Sequence, residues 1–246
     1  SDFDPRAMPG FFEQMQNLNR LNETSLPEFL RTHPVTTNRI ADSRNRAEQY
    51  KIHQSPDSME FQEVRAKIRA LAPGDPDEIA RGFKENLAQG KYLSADSERY
   101  GYAIALLRAR QLDAGRTEAK QLVDRQPGKP SYRILQAEIE MATKNYKQAL
   151  AIYAEAYAKN PSDTALMRYY ASALLKTKHY RQAKGILKTA LQQRPDDPAL
   201  YEMLAQAAGG TGSSYETHKA LADHYYLIGN PNAAIEQLQL AAKFAG

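Results

Sequence analysis

The stretches Tyr146–Pro161 (YKQALAIYAEAYAKNP) and Tyr180–Pro195 (YRQAKGILKTALQQRP) both begin with tyrosine and end with proline, and their residue numbers differ by 34. The same spacing extends back to residue 96. It relates alanines (Ala103, Ala137, Ala171), prolines (Pro127, Pro161, Pro195) and two further sets of mostly small residues (Gly115, Ala149, Ala183; Leu122, Ala156, Ala190). Three copies follow one another without an insertion, so residues 96–195 form an internal repeat.

The packing of paired helices explains this pattern. Two antiparallel helices approach to roughly 8–10 Å only where the residues at their contact are small. The recurring alanines supply such contacts, and large neighbours such as Tyr153, Leu174 and Leu187 fill the remaining space. A period of 34 with small residues inside both helices and a closing proline is typical of tetratricopeptide repeats. Each pair leaves an apolar face uncovered, so the pairs must stack, and we predict an all-α solenoid.

The period also predicts where the helices lie. First helices are expected over 96–110, 130–143 and 164–177, and second helices over 112–125, 146–159 and 180–193. Residues 58–71 and 75–89 are predicted to form a degenerate or capping pair outside the repeat alignment. After Pro195 the period is predicted to slip: a helix over 198–208 ends at the glycine-rich stretch 209–214, and helices over 215–228 and 232–245 leave one added helix.

Composition narrows the function classes. The 246 residues carry a net charge of +4 and contain no cysteine. Disulfides and thiolate metal sites are therefore excluded, and so small a charge argues against a nucleic-acid binder. No apolar run reaches the roughly 20 residues that a membrane-spanning helix needs. Because the sequence begins with serine and has no signal-peptide core, we expect a matured protein or a fragment of a longer one.

Residues 1–54 are predicted to form a separate unit. Asp4 and Pro5 are expected to start a helix that extends to residue 22. Its apolar stripe consists of Phe11, Phe12, Met15 and Leu18. A second helix is expected from Thr36 or Thr37 to Tyr50, with Ile40, Ala47 and Tyr50 as core candidates. The polar linker over 54–57 then separates residues 1–54 from a repeat domain over 55–246.

Several motifs in this first unit resemble a known family. They are FDPRAMP over 3–9, LRTHP over 30–34, RIAD over 39–42 and RNRA over 44–47. These residues resemble the end of the peptidase domain in bacterial periplasmic zinc metallopeptidases of the BepA/YfgC type, which carry a tetratricopeptide domain after the protease. The resemblance implies a periplasmic location. It also implies that residues 1–54 are the last helices of a peptidase domain.

The same resemblance bears on zinc. In that family two histidines of an H-E-x-x-H helix and a later glutamate hold the metal, and this sequence contains no H-E-x-x-H. We therefore expect no catalytic residue and no cofactor in this chain, and zinc in the full-length protein. The exception is His33, in the Thr-His-Pro loop. The resemblance implies that His33 is an additional zinc ligand in the intact protein and keeps the enzyme inactive. One imidazole alone does not make a zinc site.

The repeat register predicts a partner-binding face. In stacked pairs the first helices line a concave surface, and the residues that point into it combine aromatic, arginine and methionine side chains, the types that concentrate binding energy. They are Tyr100, Ile104, Arg108, Ile134, Glu138, Met141, Arg168, Tyr169, Ser172 and Lys176, hereafter the first-helix face. Such a groove accepts an extended strand or a helix. The alternative is that Tyr100 and Tyr169 only pack between repeats.

Other polar stretches favour ordinary structural roles. Arg181, Lys184 and Lys188 share one helix face and are predicted to be solvated. The glycine-rich stretch 209–214 lacks the lysine of a phosphate-binding loop. We therefore expect protein partners, which the resemblance identifies as the outer-membrane protein assembly machinery, misassembled outer-membrane proteins and the chain's own peptidase domain. A free-standing repeat adaptor with no protease link is the alternative hypothesis.

Overall fold

The computed structural model describes residues 4–21, 37–50 and 57–245. This described part contains thirteen α-helices and no strand, and the predicted all-α class is confirmed. The chain divides into two units, Ser1–Ser58 and Met59–Gly246. The helices are α1 (Ala7–Leu21), α2 (Thr37–Glu48), α3 (Met59–Ala70), α4 (Pro76–Gln89), α5 (Ala95–Arg108), α6 (Leu112–Arg125), α7 (Pro130–Ala142), α8 (Tyr146–Lys159), α9 (Thr164–Lys176), α10 (Tyr180–Gln193), α11 (Pro198–Gly210), α12 (Ser214–Leu227) and α13 (Pro231–Ala242).

In the described residues of the first unit, α1 packs against α2. Met15, Ile40 and Ala47 are buried between them, and Arg44 donates a hydrogen bond of 2.8 Å to the Glu13 carboxylate. The prediction that Tyr50 belongs to this core is wrong. It follows the last turn of α2 and is 67% exposed. The assignment of residues 1–54 to a peptidase domain stays a prediction.

The second unit begins its regular array with the pairs α5–α6, α7–α8 and α9–α10. Their bounds agree closely with the predicted helices. The small residues lie where the packing argument places them, since Ala103, Ala137 and Ala171 are completely buried. Each pair packs against the next, as α6 does on α7 and α10 on α11. The predicted solenoid is confirmed.

The turn inside each pair uses a left-handed residue at the same position of the repeat. Arg110, Lys144 and Lys178 have φ of 60°, 63° and 62°. Side chains with a Cβ atom rarely adopt this region. The next position in the series is Gly212, with φ of 80°. The turn geometry therefore continues for a fourth pair, α11–α12.

The predicted slip of the period after Pro195 is wrong. Helix α11 begins one full period after α9, and α12 begins one full period after α10. Ala205, which continues the alanine series, is buried. The predicted helix break over 209–214 is present but begins two residues late, because Gly209 and Gly210 still belong to α11 and Ser213 then caps α12. A Cβ on Gly210 would lie 2.2 Å from the Tyr180 ring, so this glycine permits close helix packing. The added helix is α13.

Helices α3 and α4 both pack mainly on α5. The α3 residue Arg69 donates to the carboxylate of Glu98 on α5 through two bonds of 2.7 and 3.0 Å. Asn86 of α4 donates to the same carboxylate at 2.8 Å. Glu98 is only 5% exposed, and a buried carboxylate needs such partners. This cluster fixes α3 and α4 on the first helix of the regular array.

Candidate protein-binding groove

The ten residues of the first-helix face differ widely in exposure. Tyr100, Ile104, Ile134 and Met141 are buried, with 6–8% of their surface exposed. Arg108, Glu138 and Tyr169 are half-buried, whereas Arg168, Ser172 and Lys176 are exposed. The face is therefore open to a partner mainly along α9. The role of each residue in binding stays a prediction.

Helix α3 covers the closed part of this face. Its Glu63 carboxylate lies 2.5 Å from the Lys129 ammonium and accepts a hydrogen bond of 3.2 Å from Ser131. Both partners lie at the start of α7. The guanidinium of Arg108 donates to the backbone carbonyls of Ala70 and Ala72. These contacts place α3 over the first-helix face at α5 and α7.

Lys67 marks where α3 reaches α9. Its ammonium donates to the Tyr169 hydroxyl at 3.3 Å and lies 5.5 Å from the centre of that ring. The two residues are 102 positions apart in sequence. Burial raises the pKa of Glu138, and the positive charge of Lys67 partly opposes this effect. The positive charge of Lys67 therefore partly offsets the effect of burial on the Glu138 carboxyl group in this part of the first-helix face.

An open groove lies beyond this contact, between α9 and α11. Its volume is about 600 Å³. It is lined by Thr164, Ala165, Arg168, Tyr169, Ser172, Arg194, Asp197, Leu200 and Met203, hereafter the α9–α11 groove. Three predicted residues, Arg168, Tyr169 and Ser172, are brought together here. Lys176 is exposed on the same helix, about two turns after Arg168.

Sequence reasoning missed the half of the groove that follows α10. Met203 lies one period after Tyr169, so an uninterrupted repeat register identifies it as the equivalent position. Arg194 follows the end of α10, and no helical periodicity applies to it. Asp197 accepts a bond of 3.0 Å from the backbone N–H of Ala199 and so caps α11. Its carboxylate is thus engaged by its own helix.

The histidines that the structure describes lie in separate environments. His33 lies outside the described residues. His218 pairs with the Gln237 side chain at 2.8 Å, and His224 with the carbonyl of Pro198 at 2.9 Å. In the described part of the chain, no group of three histidine, aspartate or glutamate side chains is arranged to hold a metal ion. None of the described helices is long and apolar enough to cross a membrane.

The predicted solvated face of α10 is partly engaged. Lys184 and Lys188 both donate to the Glu216 carboxylate of α12, the second at 3.1 Å. These bonds lower the pKa of Glu216 to about 2. Arg181 is exposed, as predicted. The lysines therefore join the second helices of two neighbouring pairs, which is possible because α12 continues the repeat.

The helix pairs match a known family of repeats. Two models described as tetratricopeptide repeat match residues 100–164 and 140–207. The matched residues, 100–207, include most of the three regular pairs and the greater part of α11, and these match tetratricopeptide repeats. The fold agrees with solved tetratricopeptide structures. A thermophilic protein of Thermus thermophilus has a TM-score of 0.55 at 18% identity, with 74% of this chain and 99% of that chain covered. YrrB, described as having an unusual peptide-binding site, has a TM-score of 0.51 at 10% identity, with 74% and 90% covered.

The resemblance in the first unit extends over the tetratricopeptide repeats. The chain is 28% identical to the beta-barrel assembly-enhancing protease of Yersinia pestis over 242 residues, which are 98% of this chain and 50% of that protein. For the protein of the same name from Escherichia coli K12 the identity is 28% over 244 residues, with 98% and 49% covered. The predicted resemblance is confirmed, and the chain spans about half the length of these relatives.

Proposed function

We propose that this chain is the protein-binding part of a periplasmic zinc metallopeptidase that acts in the assembly and quality control of outer-membrane proteins. The observation that carries the proposal is the match to beta-barrel assembly-enhancing proteases along 98% of the chain. The tetratricopeptide repeats support a role in binding proteins. The partners are components of the outer-membrane assembly machinery, misassembled β-barrel proteins and the chain's own peptidase domain.

In the proposed mechanism, a segment of the partner binds in the α9–α11 groove. The groove presents the exposed Arg168 and Ser172 and the half-buried Tyr169 beside the apolar side chains of Leu200 and Met203. A partner segment held there is tethered to the peptidase domain, and this tethering raises its effective concentration near the active site. The chain itself then performs recruitment, and the chemistry belongs to the rest of the longer protein.

Zinc enters this proposal through the longer protein. With no H-E-x-x-H in its sequence, the chain lacks the ligands that such a site requires. His33 would add one imidazole to a metal held elsewhere and so keep the enzyme idle. In the full-length protein, His33→Ala is then expected to raise proteolysis of an unfolded β-barrel substrate. Unchanged proteolysis would remove His33 from the mechanism while leaving recruitment untouched.

Site-specific photo-crosslinking in intact cells tests recruitment. A photoreactive amino acid replaces Arg168 in the groove or, as a matched control, the exposed Arg181 of α10, each in the full-length protein. We expect outer-membrane β-barrel proteins and assembly components to be captured from position 168 and much less from position 181. Equal capture from both positions contradicts the proposed groove. A parent gene without an H-E-x-x-H helix supports the free-standing adaptor instead.

A further inference from the structure

We propose that the α9–α11 groove selects extended acidic segments of its protein partners, with the carboxylate side chains of the segment bound by Arg168, Arg194 and Lys176. This inference rests on the proposed function, because it names the chemical class of the segment that the groove recruits. It goes beyond recruitment because it predicts which sequences are chosen.

The exposed basic side chains of the groove are available to an acidic partner. Helix α9 contains Arg168 and Lys176 and no acidic residue. Within residues 4–21, 37–50 and 57–245, neither Arg168 nor Arg194 makes an ion pair or a side-chain hydrogen bond. The acidic residue of the lining, Asp197, is the cap of α11. Arginine binds carboxylates through paired N–H donors, so the two arginines offer unused sites for a partner's carboxylates.

The spacing of the cations indicates more than one carboxylate. Arg168, Ser172 and Lys176 follow one another at four-residue intervals on α9, so they share one side of the helix. Eight residues of helix separate the two cations by about 12 Å. An extended segment advances about 3.3 Å per residue, so side chains four residues apart on the segment span a similar distance. A segment with acids at such positions matches both cations.

The apolar side chains of the groove determine which type of residue is preferred between the two acidic residues of the segment. Leu200 forms a buried floor, while Tyr169 and Met203 are half-buried beside it. In an extended segment every second side chain points to the same side. The residue midway between the two acids therefore points to the same side of the segment as the acids do, and it meets this apolar floor. The preferred pattern is acid, any residue, apolar residue, any residue, acid.

A free C-terminus is the other source of a carboxylate, and the structure favours side chains. A terminus brings one anion, whereas the groove and the adjoining turn of α9 present three exposed cations. A single terminal carboxylate leaves two of them unmatched, whereas a segment with two acidic side chains leaves one. We therefore assign the groove to internal acidic segments.

Fluorescence anisotropy with four labelled peptides tests the assignment, using the full 246-residue chain. The peptides are GSESLSESG and GSQSLSQSG, each with an amidated C-terminus, GSQSLSQSG with a free C-terminus, and GSKSLSKSG with an amidated C-terminus. We expect GSESLSESG to bind about tenfold or more tightly than the amidated GSQSLSQSG, since only the glutamate carboxylates form charge-assisted hydrogen bonds with the arginines. Its affinity is expected to fall with added salt.

Variants of the chain locate the binding. Arg168→Glu and Arg194→Glu should each weaken the acidic peptide by about tenfold, whereas Arg181→Glu on α10 is the matched control and should leave binding unchanged. The double variant Arg168→Glu, Arg194→Glu should prefer the lysine peptide. All these positions are exposed, and circular dichroism checks that each variant is folded.

Each other result overturns the inference. Equal affinity for the glutamate and glutamine peptides, or binding of neither, removes acidic selection. Tighter binding of the peptide with a free C-terminus assigns the groove to chain termini, and tighter binding of the lysine peptide also removes acidic selection. If crosslinking from position 168 persists in the Arg194→Glu protein while the peptides show no acidic preference, recruitment stands and only the acidic class fails.

Discussion

Replacing Gly101 by alanine should destabilise the protein, although alanine is the better helix former. A Cβ built on Gly101 of α5 would lie 2.5 and 2.7 Å from two ring carbons of Phe83 and 3.1 Å from the Cβ of Ala66. Phe83 and Ala66 are 2% and 3% exposed, so neither can move into solvent. The Arg69 guanidinium lies 4.5 Å from the centre of the Phe83 ring and restricts it further.

The magnitudes decide the sign of the effect. Glycine to alanine inside a helix gains about 1 kcal/mol of unfolding free energy. Overpacking a filled core loses about 1–3 kcal/mol, and contacts this short belong in the upper part of that range. Gly101→Ala should therefore lower the unfolding free energy by about 1–2 kcal/mol.

The matched control is Gly185→Ala on α10. A Cβ at Gly185 meets nothing within 4 Å, so only the helix-forming gain remains and the variant should be stabilised by about 0.5–1 kcal/mol. Urea unfolding followed by far-UV circular dichroism gives the midpoints, which are compared directly because repeat arrays need not unfold in one step. Similar stabilisation by both substitutions would refute the packing of α3, α4 and α5 described above.

Three further predictions concern the repeat itself. Ala137→Leu should lower stability by about 1–3 kcal/mol, because Ala137 is completely buried; an unchanged melting temperature would contradict the register. Lys178→Gly should raise stability by about 0.5–1 kcal/mol, because the residue has φ of 62°; a lower urea midpoint would show that the lysine side chain matters more than its backbone. Glu216→Gln should lower stability by about 1 kcal/mol at pH 7, a value discounted for the solvent exposure of the pair. Lysine bonds hold the pKa of Glu216 at about 2, below its ordinary value of 4.5, so this contribution is present above pH 4.5 and is lost as the pH falls towards 2. The thermal difference between Glu216→Gln and the unmodified protein should therefore be smaller at pH 3 than at pH 7, and an equal difference would contradict the ion pairs.

Helix positions could be predicted from the sequence where the repeat retains its markers. Small residues such as Ala137 and Ala171 occur where two helices must approach, and this requirement is local enough to be visible in one chain. The fourth pair was missed because its markers changed. Ser214 replaces the tyrosine that starts the second helix, and Gly229 replaces the closing proline. Ala205 and Gly212 still keep the register, since helix approach and turn geometry depend on backbone space.

The candidate site was predictable only in part, because a distant helix covers it. The register correctly placed Arg168, Tyr169 and Ser172 on one surface. It could not show that Glu63 and Lys67 of α3 lie against α7 and α9, since these contacts join residues 68 and 102 positions apart. Tyr100 was predicted to face a partner and is 6% exposed. Periodicity defines which side of a helix a residue occupies, but it does not define what covers that side.

The position of α3 limits the path of any chain held by this protein. Because Lys67 meets Tyr169 at the boundary of the covered region, a threaded polypeptide cannot continue from α9 towards α5 along the same trough. It must turn away into solvent at that point. Helix α3 therefore bounds the proposed groove at one end, and a segment bound along α9 would enter or leave the groove at Tyr169.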